Sequence, residues 1–303
     1  MSAVLSHFAA RLIEHGHEGF ATNLMLTGAT YTEYRRGVHE AGGGPRPRWV
    51  RVLTYHAIAD LDGPDWQRPF GVTPGQFSRQ IDTMRNAGYH FVGVDEFLRY
   101  ERGQGSVPRR PILLTFDDCY ESLLTAALPI LRERAIPAIA FAVTGYLGGT
   151  NEWDQAIGGQ KLRLLDASDL HELSKNNVEI GAHSRTHPHL CGLSAEKLSE
   201  EIAGSVADLE AAGLPRPRFF AYPHGEQDSR VRQATKEAGL QAAFTVDSGY
   251  ARAGEDPFMI PRTEILRGDN RLRFRWKLSG VYQCLSNLET ILRVEASKAR
   301  HGR

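Results

Sequence analysis

Short apolar runs alternate with amphipathic stretches along most of this chain. The runs are near-continuously apolar and rich in Val, Ile and Phe, which predicts parallel strands buried on both faces. They occupy residues 49–55, 89–94, 112–116, 138–143, 178–182, 219–222, 242–246 and 258–260. Between them, apolar residues recur every three or four positions, which predicts helices. These series are Phe77, Ile81 and Met84; Leu123, Leu124, Leu128 and Leu131; and Leu198, Ile202, Val206 and Leu209.

The alternation of strands and helices predicts the fold class. It continues over about 215 residues, as expected for a single α/β domain. Seven or eight strand–helix units favour an irregular (β/α) barrel of about seven to eight parallel strands over an open doubly wound sheet. Neither a G-x-G-x-x-G motif nor a phosphate-binding P-loop follows any of the predicted strands. A nucleotide-binding sheet is therefore disfavoured.

The regular pattern begins after a segment of different composition. Residues 1–48 are predicted to be an N-terminal extension that ends in a Gly/Pro linker, Gly42-Gly43-Gly44-Pro45. Residues 49–303 are then one domain, and the apolar spacing over 276–294 predicts a helix near its C-terminus. The sequence leaves the task of the extension open.

Composition and charge exclude several classes of protein. The chain has 36 Lys+Arg and 36 Asp+Glu, so no basic excess indicates a nucleic-acid partner. No stretch approaches the roughly 18 consecutive apolar residues of a transmembrane helix. Charged residues interrupt the N-terminal segment, which does not resemble a signal peptide. We therefore expect a cytoplasmic protein, with export by another route and the oligomeric state left open.

Polar residues follow the predicted strands at the points where they end. They are His56, Asp117 and Asp118, His183 with His187, Pro223 and His224, Asp247, and Arg262. In a parallel barrel all the carboxyl ends of the strands open on one face, where active sites lie. Six separate segments therefore deliver side chains with catalytic chemistry to one mouth.

Two of these groups allow a metal site, although each has a simpler explanation by itself. Asp117 and Asp118 suit a general base and a metal ligand, or else the start of a helix, where acidic residues are favoured. His183 and His187 suit zinc together with a carboxylate, or else belong to a polar surface loop. Pro188 disfavours helical geometry at His187, so the two histidines are expected on a turn.

The motifs taken together resemble those of the polysaccharide deacetylases, the NodB-like carbohydrate esterases of family four. Thr115-Phe116-Asp117-Asp118 is similar to the first motif, and His183-Ser184-x-x-His187-Pro188 is similar to the second. Phe220-Ala221-Tyr222-Pro223-His224-Gly225 resembles the third. Tyr55-His56 and Pro261-Arg262 resemble elements of the branch that acts on poly-N-acetylglucosamine-type polymers. The resemblance covers roughly residues 49–266, with the motifs in family order.

This resemblance implies a distorted barrel that hydrolyses an N-acetyl group, or less often an O-acetyl group, on a sugar. It implies that Asp118, His183 and His187 bind one divalent metal ion and that Asp117 is the base. A backbone N–H near Tyr222 is then expected to hold the oxyanion. Zinc suits this ligand set, and cobalt, nickel or manganese are also acceptable.

The sequence departs from the common family pattern at several positions. A late histidine usually serves as the general acid, and here His56 is predicted to take that role. The usual arginine of the third motif is absent, and Arg262 is expected to pair with Asp117 and keep it ionised. His224 stands where a tyrosine is usual, which affects substrate contacts together with Pro223.

Two further residues are candidates for supporting roles. Asp247 follows a predicted strand and is expected to orient a histidine or arginine, with a cap or turn role as the alternative. Trp153 lies in a long polar insertion, 145–165, and is a candidate for stacking on a sugar ring, with an exposed structural aromatic as the alternative.

The sequence therefore predicts a metal-dependent hydrolase that removes N-acetyl groups from an N-acetylhexosamine-containing glycan or glycan precursor. One alternative is a metal amidohydrolase that acts on a non-sugar amide with the same site. The other is a non-catalytic glycan-binding protein, which the presence of all four residues Asp117, Asp118, His183 and His187 disfavours.

Overall fold

Eight strands alternate with helices in the part of the chain that the structure describes. The computed structural model describes residues 49–279 and Tyr282. The strands are β1 (Arg51–Tyr55), β2 (His90–Phe91), β3 (Pro111–Phe116), β4 (Ala138–Ala142), β5 (Val178–Ala182), β6 (Phe219–Ala221), β7 (Ala242–Phe244) and β8 (Thr263–Glu264). The α-helices are α1 (Pro74–Asn86), α2 (Val94–Glu101), α3 (Leu128–Glu133), α4 (Glu152–Gln155), α5 (Ala167–Lys175), α6 (Ala195–Ala211), α7 (Ser229–Glu237) and α8 (Arg271–Lys277).

The strands form one curved parallel sheet. Its order is β7-β6-β5-β4-β3-β1-β8, and β2 pairs with the start of β3. A parallel bridge between Phe244 and Ile260 links β7 to the segment that leads into β8. The sheet is therefore an incomplete barrel with a thin seam, and the predicted irregular barrel of seven to eight parallel strands is confirmed. The elements that carry the site lie within one compact unit, Pro47–Arg275.

The core follows directly from the apolar runs. Every residue of β1, β3, β4, β6 and β7 is buried, because helices cover the outer face of the sheet while side chains fill its interior. Phe141 and Phe219 each pack against Phe244, with ring centroids 5.5 and 5.8 Å apart. The three apolar residues that predicted the first helix are buried on α1.

The observed elements differ from the predicted ones at two prolines. The leucine series predicted one helix, but a π-helical turn, Leu123–Ala127, precedes α3. Pro129 lacks the N–H that an uninterrupted helix needs and crowds the preceding turn. The predicted strand 258–260 is reduced to the bridge at Ile260, because Pro261 cannot donate to the ladder. Pairing resumes in β8, so Arg262 precedes the last strand instead of following it.

The remaining organisational predictions fall largely on residues outside the described part. The predicted extension over 1–48 lies there, as does most of the predicted helix over 276–294. The first two residues of the predicted helix, Trp276 and Lys277, are the last two residues of α8, which begins earlier, at Arg271. The division of the chain at residue 48 stays a prediction.

Glu101, the last residue of α2, makes stability depend on pH. Its Oε1 is buried without a hydrogen-bond partner among the described residues. Burial, with the charge of Glu255 adding to it, raises the pKa of Glu101 from 4.5 to about 7. Between these values the folded protein retains a proton that the unfolded chain releases. The free energy of unfolding therefore falls as the pH rises from about 4.5 to 7.

We expect Glu101→Gln to remove this loss. The free energy of unfolding of the variant, relative to that of the unmodified protein, should be higher at pH 8 than at pH 4.5 by on the order of 1–2 kcal/mol. The difference is smaller than the full pKa shift would give, because the site is partly exposed. Denaturant unfolding at both pH values measures the difference. Glu200→Gln, at an exposed position of α6, is the matched control. An equal effect of Glu101→Gln at both pH values would contradict the assignment.

Candidate active site

The ends of β3 and β5 bring together the acidic and imidazole groups of the predicted metal site. Asp117 and Asp118 follow β3 directly, and His183 follows β5. His187 lies four residues further on, at the end of a turn. The parallel sheet directs these chain ends to the same mouth. Asp118, His183 and His187 each offer one ligand atom, and these atoms lie within 4.8 Å of one another.

The geometry of Asp118 suits a shared cation. Its Oδ1 lies 3.6 Å from Nε2 of His183 and 3.6 Å from Nε2 of His187. These distances are too long for hydrogen bonds. The same oxygen is buried and has no hydrogen-bond partner in the described part of the chain. Burial raises the pKa of Asp118 to about 7, with the charge of Asp117 adding to this effect and that of His56 opposing it.

This donor set fits a divalent metal ion. One carboxylate and two neutral imidazoles are ligands that zinc accepts at sites with an open position. A bound dication would favour the ionised carboxylate and so compensate for the burial of Asp118. The orphaned carboxylate oxygen and the two converging Nε2 atoms are therefore explained together.

His183 is oriented by the neighbouring strand. Its Nδ1 donates a hydrogen bond of 2.7 Å to the backbone carbonyl of Ala221 in β6. With the proton on Nδ1, the Nε2 lone pair is available to a metal. Burial lowers the pKa of His183 to about 4, against the opposing charge of Asp117, so the imidazole is neutral at neutral pH.

A strained turn carries the second histidine. Ser184 and His187 both adopt left-handed backbone conformations, with φ of 63° and 60°. The His187 N–H donates to Ser184 Oγ at 3.0 Å. Glu201 of α6 accepts hydrogen bonds from the N–H groups of Arg185 and Thr186, each at 2.9 Å. These contacts balance the strain of the turn, and nothing in the local sequence pattern indicated the role of Glu201.

A second left-handed turn lets adjacent acids serve one site. Asp118 and Cys119 have φ of 69° and 53°. Asp117 still belongs to the sheet, because its N–H donates to the carbonyl of Tyr55 at 2.9 Å. Adjacent strand residues normally point to opposite faces, and the abrupt turn after Asp117 removes that separation. The turn therefore allows the two carboxylates to reach one site, and their joint use there stays a prediction.

Arg262 binds both oxygens of the Asp117 carboxylate. Nη1 and Nη2 lie 2.7 and 2.8 Å from the two carboxylate oxygens, which is a bidentate ion pair. Arg262 also donates to the hydroxyls of Thr54 and Thr115 and to the carbonyl of Thr245. Burial by itself would raise the pKa of Asp117. The nearby positive charges, chiefly that of Arg262, outweigh burial and lower the pKa to about 2. The predicted pairing of Arg262 with Asp117 is confirmed.

His56 directly follows the end of β1. Its ring packs edge-on against Phe70, with centroids 4.8 Å apart. Its Nδ1 is buried without a hydrogen-bond partner among the described residues. The charge of a protonated His56 acts on both Asp117 and Asp118, which places the ring beside the candidate metal centre. Its predicted role as general acid stays a prediction.

The amide of Tyr222 itself is engaged in the sheet. Its N–H donates to the carbonyl of Phe244 at 3.1 Å, because pairing between β6 and β7 extends to this residue. Its hydroxyl donates to the carbonyl of Phe258 at 3.1 Å, and the side chain is fully buried. Tyr222 is therefore part of the scaffold beneath the mouth, and an oxyanion held by a backbone N–H near it stays a prediction.

The next two residues remain close to the site. Pro223 is buried and has no N–H to offer. His224 has a left-handed backbone, with φ of 58°. Its ring centroid lies 4.6 Å from that of His187 and 4.1 Å from that of His189. His224, which is exposed, therefore continues the cluster of imidazoles from the candidate metal ligand His187 to the surface.

Trp153 lies at the site but not as an isolated platform. Its ring stacks on His187, with centroids 4.9 Å apart and planes 25° apart. It also packs against Tyr146 at 5.6 Å. One face of the indole is thus occupied by a candidate metal ligand. The predicted stacking of Trp153 on a sugar ring stays a prediction, and only the other face of the indole could serve it.

Asp247 does not orient a histidine or arginine with its side chain. The residue is exposed, and within the described part of the chain its carboxylate makes no hydrogen bond or ion pair. The main chain of Asp247 contributes instead, because its carbonyl accepts a hydrogen bond of 2.9 Å from the N–H of Arg262. The predicted supporting role is wrong for the carboxylate.

Comparisons with known proteins find one matching family and several similar sequences. Residues 104–243 match the family described as polysaccharide deacetylase. A poly-beta-1,6-N-acetyl-D-glucosamine N-deacetylase from Staphylococcus aureus strain MSSA476 is 27% identical over 204 residues, covering 64% of this chain and 67% of that protein. The protein with the same description from Staphylococcus epidermidis is 27% identical over 216 residues, covering 68% and 71%.

Known structures share the fold. IcaB from Ammonifex degensii has a TM-score of 0.66 at 22% identity and covers 77% of this chain and 99% of its own. The Streptococcus pyogenes deacetylase PplD, in complex with acetate, has a TM-score of 0.65 at 22% identity with the same coverage. Among the described residues, no helix has the length and apolar character needed to cross a membrane.

Proposed function

Because this chain contains a polysaccharide deacetylase domain, we propose that it is a metal-dependent hydrolase removing N-acetyl groups from a glycan, or glycan precursor, that contains N-acetylhexosamine. The observation that carries the proposal is the position of Asp117. An arginine-held carboxylate directly precedes Asp118, which converges with His183 and His187. The staphylococcal relatives, which are named for poly-beta-1,6-N-acetyl-D-glucosamine, support an aminosugar polymer as the substrate class.

Three residues would hold the metal. Asp118 would bind through a carboxylate oxygen, and His183 and His187 through Nε2. An ion bound there supplies Lewis acidity, which polarises the acetyl carbonyl and lowers the pKa of water. Zinc is the first expectation, and cobalt, nickel or manganese are compatible with the same ligands.

Asp117 is the proposed general base. It is ionised at neutral pH because Arg262 holds its pKa near 2. The bidentate pair also fixes the plane of the carboxylate, so the side chain cannot rotate away from the mouth. Asp117 takes the proton from the attacking water, and such help is worth about 10²–10⁴-fold in rate.

His56 is the proposed general acid. Hydrolysis of an amide releases an amine, which needs a proton as the C–N bond breaks. His56 faces the carboxylates from the end of β1, and its position suits delivery of that proton to the leaving nitrogen. His224 and Trp153 are proposed to contact the substrate at the rim and side of the mouth, next to His187.

We expect His56→Gln to lower kcat for an N-acetylglucosamine oligomer on the order of 10²–10⁴-fold. The same change should affect 4-nitrophenyl acetate much less, because its leaving group departs without a proton. Steady-state kinetics on both substrates measure the contrast. His90→Gln, at an exposed position of β2, is the matched control. Equal losses on the amide and the ester would rule out an acid role for His56.

The function is tested by acetate release. The protein is stripped of metal, reloaded with zinc or cobalt, and assayed on N-acetylglucosamine oligomers with β-1,6 and β-1,4 linkages, on lipid-linked glycans, and on small non-sugar amides. Metal-dependent acetate release from the glycans is the expected result. Turnover of the amides alone would favour a different amidohydrolase. Glycan binding without turnover in the metal-loaded protein would indicate a non-catalytic glycan-binding protein.

The location of this protein in the cytoplasm stays a prediction.

A further inference from the structure

The insertion over 145–165 is joined to the turn that carries Asp118. An antiparallel bridge pairs Tyr120 with Leu164. The N–H of Leu165 donates to the carbonyl of Cys119 at 2.9 Å, and the N–H of Glu121 donates to the carbonyl of Arg163 at 2.9 Å. The backbone immediately after Asp118 is therefore held by the end of this insertion, although the bonded residues lie more than 40 positions apart in sequence.

Asp154 is the centre of a buried polar network in the insertion. Its Oδ2 accepts hydrogen bonds from Asn151 Nδ2 at 3.0 Å, from Gln67 Nε2 at 3.3 Å and from the Tyr120 hydroxyl at 3.3 Å. Asn151 is 0% exposed and Gln67 is 3% exposed. Such buried amides are tolerated when their hydrogen bonds are made. Three donors from separate parts of the chain thus converge on one carboxylate oxygen.

Tyr120 connects this network to the candidate metal centre. Its side chain is buried, and its hydroxyl donates to Asp154 Oδ2 at 3.3 Å. Tyr120 lies two residues after Asp118, so the hydrogen bond that holds Tyr120 also holds the backbone that carries Asp118. The Asp154 carboxylate also adds a negative charge beside the place where a dication would bind.

The same insertion supports a second metal ligand. Trp153, the neighbour of Asp154, stacks on His187 with ring centroids 4.9 Å apart. Trp153 and Tyr120 belong to one small apolar cluster, which also includes Leu61 and Leu164. Packing in this cluster fixes the indole, and the indole limits rotation of the His187 ring. The insertion therefore reaches two of the three ligands by independent contacts.

We propose that Tyr120, Asp154 and Trp153 are positioning residues that set the affinity and geometry of the metal bound by Asp118 and His187. The inference rests on the proposed function, because it concerns the metal site of that function. Residues that orient metal ligands typically change metal affinity 10–100-fold when they are lost. Neither the catalytic steps nor the fold of the sheet uses the hydrogen bond between Tyr120 and Asp154.

The test measures metal binding without reference to activity. The dissociation constant for zinc is obtained by competition with a chromophoric chelator, and the ligand geometry from the visible absorption of the cobalt-loaded protein. Tyr120→Phe removes one oxygen and is expected to weaken zinc binding about 10–100-fold with a changed cobalt spectrum. Asp154→Asn is expected to act in the same direction. Trp153→Leu should broaden or shift the cobalt bands, and Trp153→Phe should restore them.

Tyr146→Phe is the matched control. Tyr146 packs against Trp153 in the same cluster, and its hydroxyl makes no hydrogen bond within the described part of the chain. Thermal unfolding of the metal-free proteins separates positioning from support of the fold. If Tyr120→Phe and Asp154→Asn lower the melting temperature but keep the zinc affinity and cobalt spectrum, the inference is wrong. If the unmodified protein binds no metal, the proposed function fails together with it.

Discussion

Replacement of Asp117 by asparagine is expected to lower kcat for deacetylation on the order of 10²–10⁴-fold, because the amide cannot accept a proton from the attacking water. The change removes a charge and replaces one oxygen with NH₂. Asp118, His183 and His187 are unaltered, so the variant is expected to keep its metal. KM should change little, since Asp117 acts on the water rather than on the sugar. Initial rates and metal content, measured on the same preparation, check the prediction.

The control for Asp117→Asn needs the same chemical change away from the mouth. Asp65→Asn meets this requirement, because the Asp65 side chain is 97% exposed. It is expected to behave as the unmodified protein. Near-normal kcat in metal-loaded Asp117→Asn would exclude Asp117 as the base. Loss of the metal from that variant would show that the pair of acids binds the ion jointly, which contradicts separate roles for Asp117 and Asp118.

Removal of Arg262 is expected to produce the largest loss of stability. The guanidinium is fully buried, and Arg262→Met would leave the Asp117 carboxylate without its ionic partner. Breaking a buried pair from one side costs about 3–5 kcal/mol, because an uncompensated charge remains inside. Denaturant unfolding at pH 7 measures the free energy. Activity is expected to fall as well, since burial would then raise the pKa of the base.

The pH dependence distinguishes lost charge pairing from lost packing. In the unmodified protein the pKa of Asp117 is lowered to about 2, so its stabilising contribution is present at neutral pH and is lost as the pH falls through that value. In Arg262→Met the carboxyl can take up a proton at mildly acidic pH. The stability difference between the two proteins is therefore expected to shrink from pH 7 to pH 4.

A double substitution completes this test. Asp117→Asn together with Arg262→Met removes both charges, so it should cost less than the sum of the two single changes. Additive costs, or a pH-independent loss in Arg262→Met, would show that the guanidinium acts mainly by filling space. Arg262→Lys keeps the charge but not the bidentate geometry, and an intermediate loss is expected.

The position of Arg262 illustrates how the site compensates for a changed motif. Ala221 or Phe220 stands where the third motif of the polysaccharide deacetylases usually has arginine, and β6 therefore supplies no cation. Arg262 enters from the segment between Ile260 and β8, which closes the barrel next to β1. Its N–H is held by the carbonyl of Asp247 and its Nε by the carbonyl of Thr245. The thin seam of the barrel thus has a role in placing the partner of the Asp117 carboxylate.

The sequence by itself determined the architecture and the principal site residues. Continuous apolar runs identified the buried parallel strands, because both faces of such a sheet are covered. Chemistry at the strand ends then placed Asp117, Asp118 and His183 at one mouth, because parallel strands direct their carboxyl ends to the same side. Pairing between Asp117 and Arg262 was also predictable, since a buried carboxylate needs a cation and the usual arginine is missing.

Tertiary structure alone decided the details that depend on contacts between distant segments. The amide of Tyr222 completes the ladder to Phe244, and residue type does not reveal how far a ladder extends. Asp247 contributes a carbonyl instead of a carboxylate, which no side-chain pattern can show.

The network around Asp154 has the same physical origin. Gln67, Asn151 and Tyr120 meet there from segments as much as 87 residues apart. Periodicity reports which residues of one element share a face, because it reflects local geometry. It carries no information about which distant polar groups meet in the folded chain, and those contacts place the residues around the candidate metal ligands.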